Sequence, residues 1–539
     1  MKKAIRKALP WLLLVGIAAA AAAGLEGLLS IYIMKAVDSM SNGSRDAFNQ
    51  AVRMLLLVSA GFIPALLLLA LLRGLYKRSA AVSARGDFIR RLFHKNINEF
   101  QAENNATYVS VLTNDFNTIE LNYIDGICTL LVQGMNFAVS VLVIGLVSPW
   151  VLLAGIGVGV VSTLLSALVS KPLQRHQGQR SELLAKYTAY IKEVLGAFHI
   201  IKSHNLEARM QSDYHSRSQT IQQKGYVIDR VYTLVLSLNR LVMTSTFVGL
   251  IGVTVLFGIK GIITVGGVIL IVTQLDRLLQ PIGMLGETLP KIFGVKKIFE
   301  RAEDSLQNHD THTETVTIDA IQNGLFFEDV SFSYGEHQVL DKVNLSLAQG
   351  CKYLFVGPSG GGKTTVLKLL RKYHSPDAGR IMLDFHDLRD VCKDSYFHHV
   401  ANVEQQVFLF EDTIRNNLCL YKDYSDQRIQ LALKQSGLED FVAALPQGLD
   451  SMIYDNGRNI SGGERSRLAI ARALLAGADL IFLDEAFASL DATTACAIER
   501  TLLELDGVTV VNVSHVRFEE NRHLYSKIFS VHNRSVQVA

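Results

Sequence analysis

Apolar positions along the chain gather into six segments: Pro10 to Ala36, Met54 to Leu75, Cys128 to Leu146, Val151 to Val169, Thr233 to Gly258 and Ile262 to Leu289. Each runs for about 20 residues or more, enough to cross a bilayer core of about 30 Å at about 1.5 Å per residue. After Pro290 nothing of that length recurs. From about Leu325 onward short apolar runs alternate with polar helical stretches, the pattern of an α/β domain around a parallel sheet. The pattern predicts an all-α transmembrane domain of six helices over residues 1–300, a polar linker over 301–323 and an α/β domain over 324–539.

The placement of charge sets the orientation. Lys2, Lys3, Arg6 and Lys7 precede the first segment, and Lys77, Arg78, Arg85, Arg90, Arg91 and Lys95 follow the second. The short loops on the other side carry little more than Arg45, Arg53 and Lys260. By the positive-inside rule both termini are cytoplasmic. Trp11 and Trp150 stand at predicted span ends, where an aromatic belt would hold them. The basic start and Ala18 to Ala23 also spell a secretory signal, but the apolar stretch continues through Leu25 to Ala36 and favours an uncleaved first span. On the inner side, Lys77 to Asn122 and Lys171 to Tyr232 keep helical periodicity without clusters of proline or glycine. The membrane helices are expected to run on into the cytoplasm there and turn back.

Composition narrows the classes further. Hydrophobic residues make up 49% and charged residues 19%, against about 25% charged in ordinary soluble proteins. Such a chain is neither disordered nor purely cytosolic. Lys+Arg 53 against Asp+Glu 50 leaves +3, too close to neutral for nucleic-acid binding by bulk charge. The five cysteines, Cys128, Cys351, Cys392, Cys419 and Cys496, show no CxxC spacing and indicate neither a disulfide framework nor a zinc cluster.

The chemistry lies in the second half. Gly357-Pro358-Ser359-Gly360-Gly361-Gly362-Lys363-Thr364 fits GxxxxGK[ST], after the apolar run Tyr353 to Val356 and before a helical pattern from Thr365 to Lys372. Strand, loop and helix in that order make a phosphate cradle of Gly357, Ser359, Gly360, Gly361, Gly362, Lys363, Thr364 and Thr365. Glycines let backbone N–H groups approach phosphate, the helix N-terminus faces the anion, and Lys363 adds positive charge. Thr364 would place its hydroxyl on Mg²⁺. By contrast, Gly155-Ile156-Gly157-Val158-Gly159 lies inside an apolar span, where close helix packing explains it better.

Three further apolar runs end in polar side chains. Leu480 to Leu483 ends in Asp484-Glu485, Val508 to Val513 precedes Ser514-His515, and Val400 to Val403 precedes Glu404-Gln405. Open α/β sheets bind ligands at the C-terminal ends of their strands. These ends and the phosphate loop are expected to deliver Lys363, Asp484, Glu485, His515 and Gln405 to one crevice. Asp484 can hold Mg²⁺, and Glu485 can orient or deprotonate an attacking water.

The run Ile460-Ser461-Gly462-Gly463-Glu464-Arg465 resembles the LSGGQ signature of ATP-binding cassette (ABC) proteins and stands just upstream of the strand that ends in Asp484. With six spans ahead of it, the chain resembles an exporter-type ABC half-transporter, a transmembrane domain followed by an α/β P-loop nucleotide-binding domain. The resemblance implies ATP and Mg²⁺ as cofactors, with Thr364, Gln405 and Asp484 toward the metal and Glu485, His515 and Gln405 as the catalytic set. It implies that Tyr334 stacks on adenine, that Gln405 senses the membrane domain, that Asp491 is the D-loop aspartate and that His515 contacts the γ-phosphate. Ser461, Gly462 and Gly463 would offer N–H groups to phosphate. Leu112 to Asp115 and Glu193 to Gly196 resemble family patterns in the inner extensions, and coupling helices are expected near Gln101 to Tyr108 and His204 to Tyr214. The sequence departs from the family at Ile460, Glu464 and Phe487-Ala488-Ser489, and at Glu404, where proline is common.

One cradle and one signature per chain imply a dimer of twelve spans, a homodimer or a heterodimer, in which ATP closes the ATPase domains and the membrane cavity switches from inward to outward facing. The cargo expected by family analogy is an amphipathic small molecule, lipid or peptide, exported through a bacterial inner membrane with the ATPase domain cytoplasmic. An importer on the same scaffold with siderophore-like cargo, or a heterodimer subunit inactive alone, are the alternatives. Intact Lys363, Glu485 and His515 speak against the second. Glu26, Arg240, Asp276 and Arg277 lie within spans and should face the cavity or pair, although Arg240 can also snorkel.

Overall fold

A computed structural model describes the chain apart from residues 104, 158, 161–182, 184, 185, 189, 309 and 311. It divides into two compact units: Met1–Lys95 with Glu103–Gln307, and Asn96–Ala102 with Asn308–Ala539.

The first unit is helical. Among the described residues five helices are long and apolar enough to cross a membrane. The predicted fourth span, Val151 to Val169, is helical over 149–157 and otherwise lies largely outside the described residues, as does the start of the segment from Lys171. Ser148 leaves helical geometry, and Pro149 opens the new helix at the position that needs no N–H donor. The 49 residues of Arg45–Phe93 and the 53 of Glu207–Ile259 each span about 75 to 80 Å, more than twice a bilayer core. The predicted inner extensions are thus continuous with their membrane helices.

The turns are tighter than the apolar pattern suggests, because polar residues flanking each apolar run stay helical. Only Asn42 to Ser44 separate Leu9–Ser41 from Arg45–Phe93, with Gly43 at φ 71°. The inner short helices also sit earlier than expected. The first is Ile97–Ala102, and the predicted stretch Gln101 to Tyr108 mostly begins the returning helix from Asn105. The second is Phe198–Ser203; Asn205, left-handed at φ 52°, breaks the chain before Glu207 opens the long helix.

A polar seam joins the helix Leu9–Ser41 to Val265–Gly294. Asp38 accepts from Thr264 Oγ1 and from Gly266 N–H, both at 2.8 Å. Gln274 Nε2 donates to Ser30 Oγ at 2.7 Å, and Ser140 Oγ donates to Gln274 Oε1 at 3.0 Å. Glu26 pairs with Arg277. Glu26, Ser30 and Asp38 repeat at multiples of four and so share one helix face. Ser30, Ser140 and Gln274 are buried, and their mutual bonds remove the cost of polar groups in an apolar layer. Gly266 permits the approach, since a Cβ there would collide with Met34 O and Asp38. Asp276 and Arg240 are exposed in the single chain, so of the four charged span residues two are paired. At Gly155 a Cβ would come within 2.8 Å of Leu278, so close packing accounts for that glycine, whereas a Cβ at Gly157 would meet nothing within 4 Å.

The second unit holds two sheets. Its strands are β1 (Gly324–Tyr334), β2 (His337–Ala348), β3 (Lys352–Val356), β4 (Ala378–Leu383), β5 (His386–Asp387), β6 (Val400–Val403), β7 (Leu480–Asp484), β8 (Thr509–Val513), β9 (Lys527–His532) and β10 (Ser535–Val538). One sheet is antiparallel, in the order β2-β1-β4-β5. The other runs β10-β9-β3-β8-β7-β6 and is parallel except where β10 pairs with β9. β3, β7 and β8 are buried at every position, which their unbroken apolar runs require.

The stretch expected as a linker divides. Residues 301–304 finish the helix Lys296–Asp304. Farther on, Val316 bridges to Val391, and the Asp384 carboxylate accepts from the N–H groups of Gln322, Asn323 and Gly324. The short helix Ile97–Ala102 is held in the same unit. Asn96 N–H donates to Asn308 Oδ1 at 2.9 Å, Asp310 N–H to Glu99 Oε1 at 3.1 Å, and Lys393 Nζ to Asn96 Oδ1 at 2.7 Å.

Candidate active site

Buried β3 ends at Val356, and the loop 357–362 leads into the helix Lys363–Leu370. Gly360 at φ 77° and Gly362 at φ 103° hold left-handed backbone that other residues adopt at a cost of about 1 to 2 kcal/mol. Gly362 is the residue before the helix, so the first N–H groups of the helix, including those of Thr364 and Thr365, belong to its unsatisfied first turn. Ser359 and Gly361 complete the curve, with Gly361 N–H donating to Pro358 O at 3.1 Å. Lys363 Nζ donates to Gly357 O at 3.0 Å and Pro358 O at 2.9 Å, which curls the ammonium over the loop. Burial lowers its pKa, opposed by the carboxylates of Glu485 and Asp484.

The ends of β6, β7 and β8 meet this loop. Thr364 Oγ1 lies 3.4 Å from Asp484 Oδ1. Gln405 Nε2 donates to Glu485 Oε2 at 2.7 Å, and His515 Nε2 stands 3.2 Å from Glu485 Oε1. Lys363, Thr364, Asp484, Glu485, Gln405 and His515 therefore form one constellation. Burial raises the pKa of Asp484, and the Arg371 guanidinium works against that shift. Glu485 has φ 49°, a conformation a non-glycine residue holds only when its surroundings impose it, and its N–H donates to Val513 O at 2.9 Å.

Other predicted residues stand apart from that constellation. Tyr334 is exposed, edge-on to Phe332 and His374, with Lys368 Nζ 5.7 Å above its ring. Burial and the charge of Lys368 lower the pKa of His374. Ser461 caps the helix Gly462–Ala476 in a reciprocal box: Glu464 N–H donates to Ser461 Oγ at 3.2 Å, and Ser461 N–H to Glu464 Oε2 at 2.6 Å. The departure at Glu464 thus has a local structural use. Gly462 and Gly463 face Ser489 and Leu490. Asp491 caps the helix Ala492–Leu503, accepting from Thr493 Oγ1 at 2.6 Å and Thr494 N–H at 2.9 Å, and these bonds hold its carboxyl well below the usual range.

Several supporting residues escaped the sequence reading. Arg371 is 2% exposed and reaches both Glu404 and Asp484. Arg472, whose pKa burial pushes down to about 10, donates to Phe408 O at 2.9 Å and so anchors the segment after Gln405. Glu499, also 2% exposed, accepts from Asn512 on β8, from Asn521 and from Tyr525. Their only sequence signal is a charge inside an otherwise apolar helical pattern, which reads equally well as a solvated face.

Comparison with known proteins adds to this geometry. Residues 340–488 match the family described as ABC transporter, and residues 12–282 match the ABC transporter transmembrane region. The ATP-dependent lipid A-core flippase of Syntrophus aciditrophicus is 28% identical over 467 residues, covering 83% of this chain and 75% of the flippase. The uncharacterized ABC transporter ATP-binding protein YfiC of Bacillus subtilis is 26% identical over 441 residues, covering 80% of this chain and 72% of YfiC. The solved structure of a bacterial Atm1-family ABC exporter with ATP bound superposes with a TM-score of 0.81 over 99% of this chain and 94% of that one, at 22% identity.

Proposed function

The chain belongs to the ABC transporter family as a multi-pass membrane half-transporter with an ATP-binding domain, and we propose that it exports an amphipathic, lipid-like cargo as a dimer. The observation that carries the ATP-hydrolysing part of this reading is the bonding of Gln405 and His515 to the two oxygens of Glu485, beside the phosphate cradle. Glu485 is the base that orients and deprotonates the attacking water, and Gln405 and His515 hold its carboxylate in place. Lys363 would leave the carbonyls of Gly357 and Pro358 for the phosphates, with which its charge is better matched.

The Thr364 hydroxyl and Asp484 carboxylate, 3.4 Å apart, are hard oxygen donors of the kind Mg²⁺ takes alongside phosphate and water, and Gln405 is within the same cluster. When bound, Mg²⁺ would neutralise phosphate charge. Ser461, Gly462 and Gly463 would serve the nucleotide of a second chain, identical or not. The flippase name of one relative supports a lipid-like cargo and export over uptake.

The test is Mg²⁺-dependent ATP hydrolysis by the chain purified alone in lipid nanodiscs, beside Glu485→Gln. Activity lost in the variant supports a self-sufficient homodimer. ATP binding without hydrolysis in the unaltered chain would replace the homodimer with a heterodimer.

A further inference from the structure

Arg371 follows the phosphate-loop helix and is buried between the ends of β6 and β7. Its Nη2 donates to Val403 O at 3.3 Å, at the end of β6, and to Phe482 O at 3.4 Å, inside β7. Its Nη1 lies 3.6 Å from Glu404 Oε1 and 4.0 Å from Asp484 Oδ2. Tyr373 holds Glu404 from the other side, its hydroxyl donating to Glu404 Oε1 at 3.0 Å. One guanidinium is therefore shared between two carboxylates, one of which is the proposed metal ligand and the other the neighbour of Gln405.

We propose that Glu404 is a positioning residue for the metal site: by drawing on Arg371 it leaves Asp484 free to bind a divalent cation. Two carboxylates around one guanidinium leave a net negative cluster, which attracts a dication. Without the Glu404 charge, Arg371 is compensated by Asp484 alone, and the same buried cation repels the metal. Glu404 is about half exposed, so solvent screens its share and the effect is moderate rather than total.

The arrangement also gives the segment after β6 a physical link to the metal site. Glu404 and Gln405 are adjacent, so a displacement of Gln405 that pulls Glu404 away from Arg371 shifts the guanidinium's charge onto Asp484. A proline at position 404 could carry none of this, so the departure from the family pattern has a physical consequence here. The inference rests on the reading of Asp484 as the Mg²⁺ ligand.

The experiment uses the full chain in nanodiscs with Glu485→Gln to stop turnover. Mn²⁺ binding in the presence of ATP is followed by electron paramagnetic resonance, and ATP binding in EDTA is followed separately. Glu404→Gln should weaken Mn²⁺ binding about fivefold, Glu404→Asp should restore most of it, and ATP binding in EDTA should stay within twofold for both. Mn²⁺ affinity unchanged in Glu404→Gln, while Asp484→Asn weakens it, overturns the role of Glu404 alone. Affinity unchanged in Asp484→Asn overturns the metal assignment and the inference with it. A parallel loss of ATP binding in EDTA also overturns it, because Glu404 would then support the whole site.

Discussion

His515 Nε2 stands 3.2 Å from Glu485 Oε1, and the other oxygen of the same carboxylate accepts from Gln405. The carboxylate is thus held by side chains from two neighbouring strand ends, at a residue whose own backbone is left-handed. Glu485→Gln should keep ATP binding while hydrolysis falls about 100-fold or more, the usual span for a lost general base. Single-turnover hydrolysis beside nucleotide binding checks this, and retained turnover removes Glu485 from the role.

Glu464 places a carboxylate at the N-terminus of the signature helix, where it occupies the N–H of Ser461. Glu464→Gln keeps an acceptor for that N–H but removes the negative charge. The Michaelis constant for ATP should fall about threefold, within the range of a charge at a helix terminus, while the melting temperature falls slightly because the helix N-terminus loses a stabilising charge. A higher constant would mean that the acid assists nucleotide binding.

Glu26 and Arg277 compensate each other inside the membrane unit. Glu26→Gln or Arg277→Gln alone strands the partner charge and should cost about 1 to 3 kcal/mol, whereas the double variant should cost less than the worse single one. Thermal unfolding in nanodiscs measures the cycle. Additive losses would show that the two side chains do not act as a pair.

Glu499 accepts from Asn512 Nδ2 at 3.1 Å, from Tyr525 hydroxyl at 2.7 Å and from Asn521 Nδ2 at 2.8 Å. Glu499→Gln turns one acceptor into a donor facing a donor and should cost about 1 to 3 kcal/mol despite its matching shape. Burial raises the Glu499 pKa above 4.5. The folded state then takes up a proton more readily than the unfolded one, so this group adds stability as pH falls through the raised value toward 4.5. The gap in melting temperature between Glu499 and its Gln variant should widen on acidification. A gap that narrows contradicts the sign.

Much of this site was readable from residue order, because a strand buried on both faces must be an unbroken apolar run and the polar residue at its end is easy to see. Asp484, His515 and Gln405 were found that way. Arg371 was not, since nothing in sequence tells a guanidinium that ends a helix in water from one folded back between two strands. The span helices were legible from hydropathy, but their ends were not. Asp38 and Asp46 look like loop residues, and helical hydrogen bonding carries through both. The short inner helices were displaced for the same reason: left-handed Asn205 fixes the break, and asparagine adopts that conformation only in some contexts.

The bonds that tie Asn96 and Glu99 to Asp310 reach beyond this chain's own folding. Asn96, Asn308, Asp310 and Lys393 hold the helix Ile97–Ala102 within the ATP-binding unit. That unit is therefore assembled from two separated stretches of sequence. A fragment that starts at Asn308 would leave Lys393 without Asn96 and would not be the whole of it. A chimera that grafts a relative's catalytic half onto these spans would inherit a foreign socket for Ile97–Ala102, so the tip helix and the half it sits in are best exchanged together.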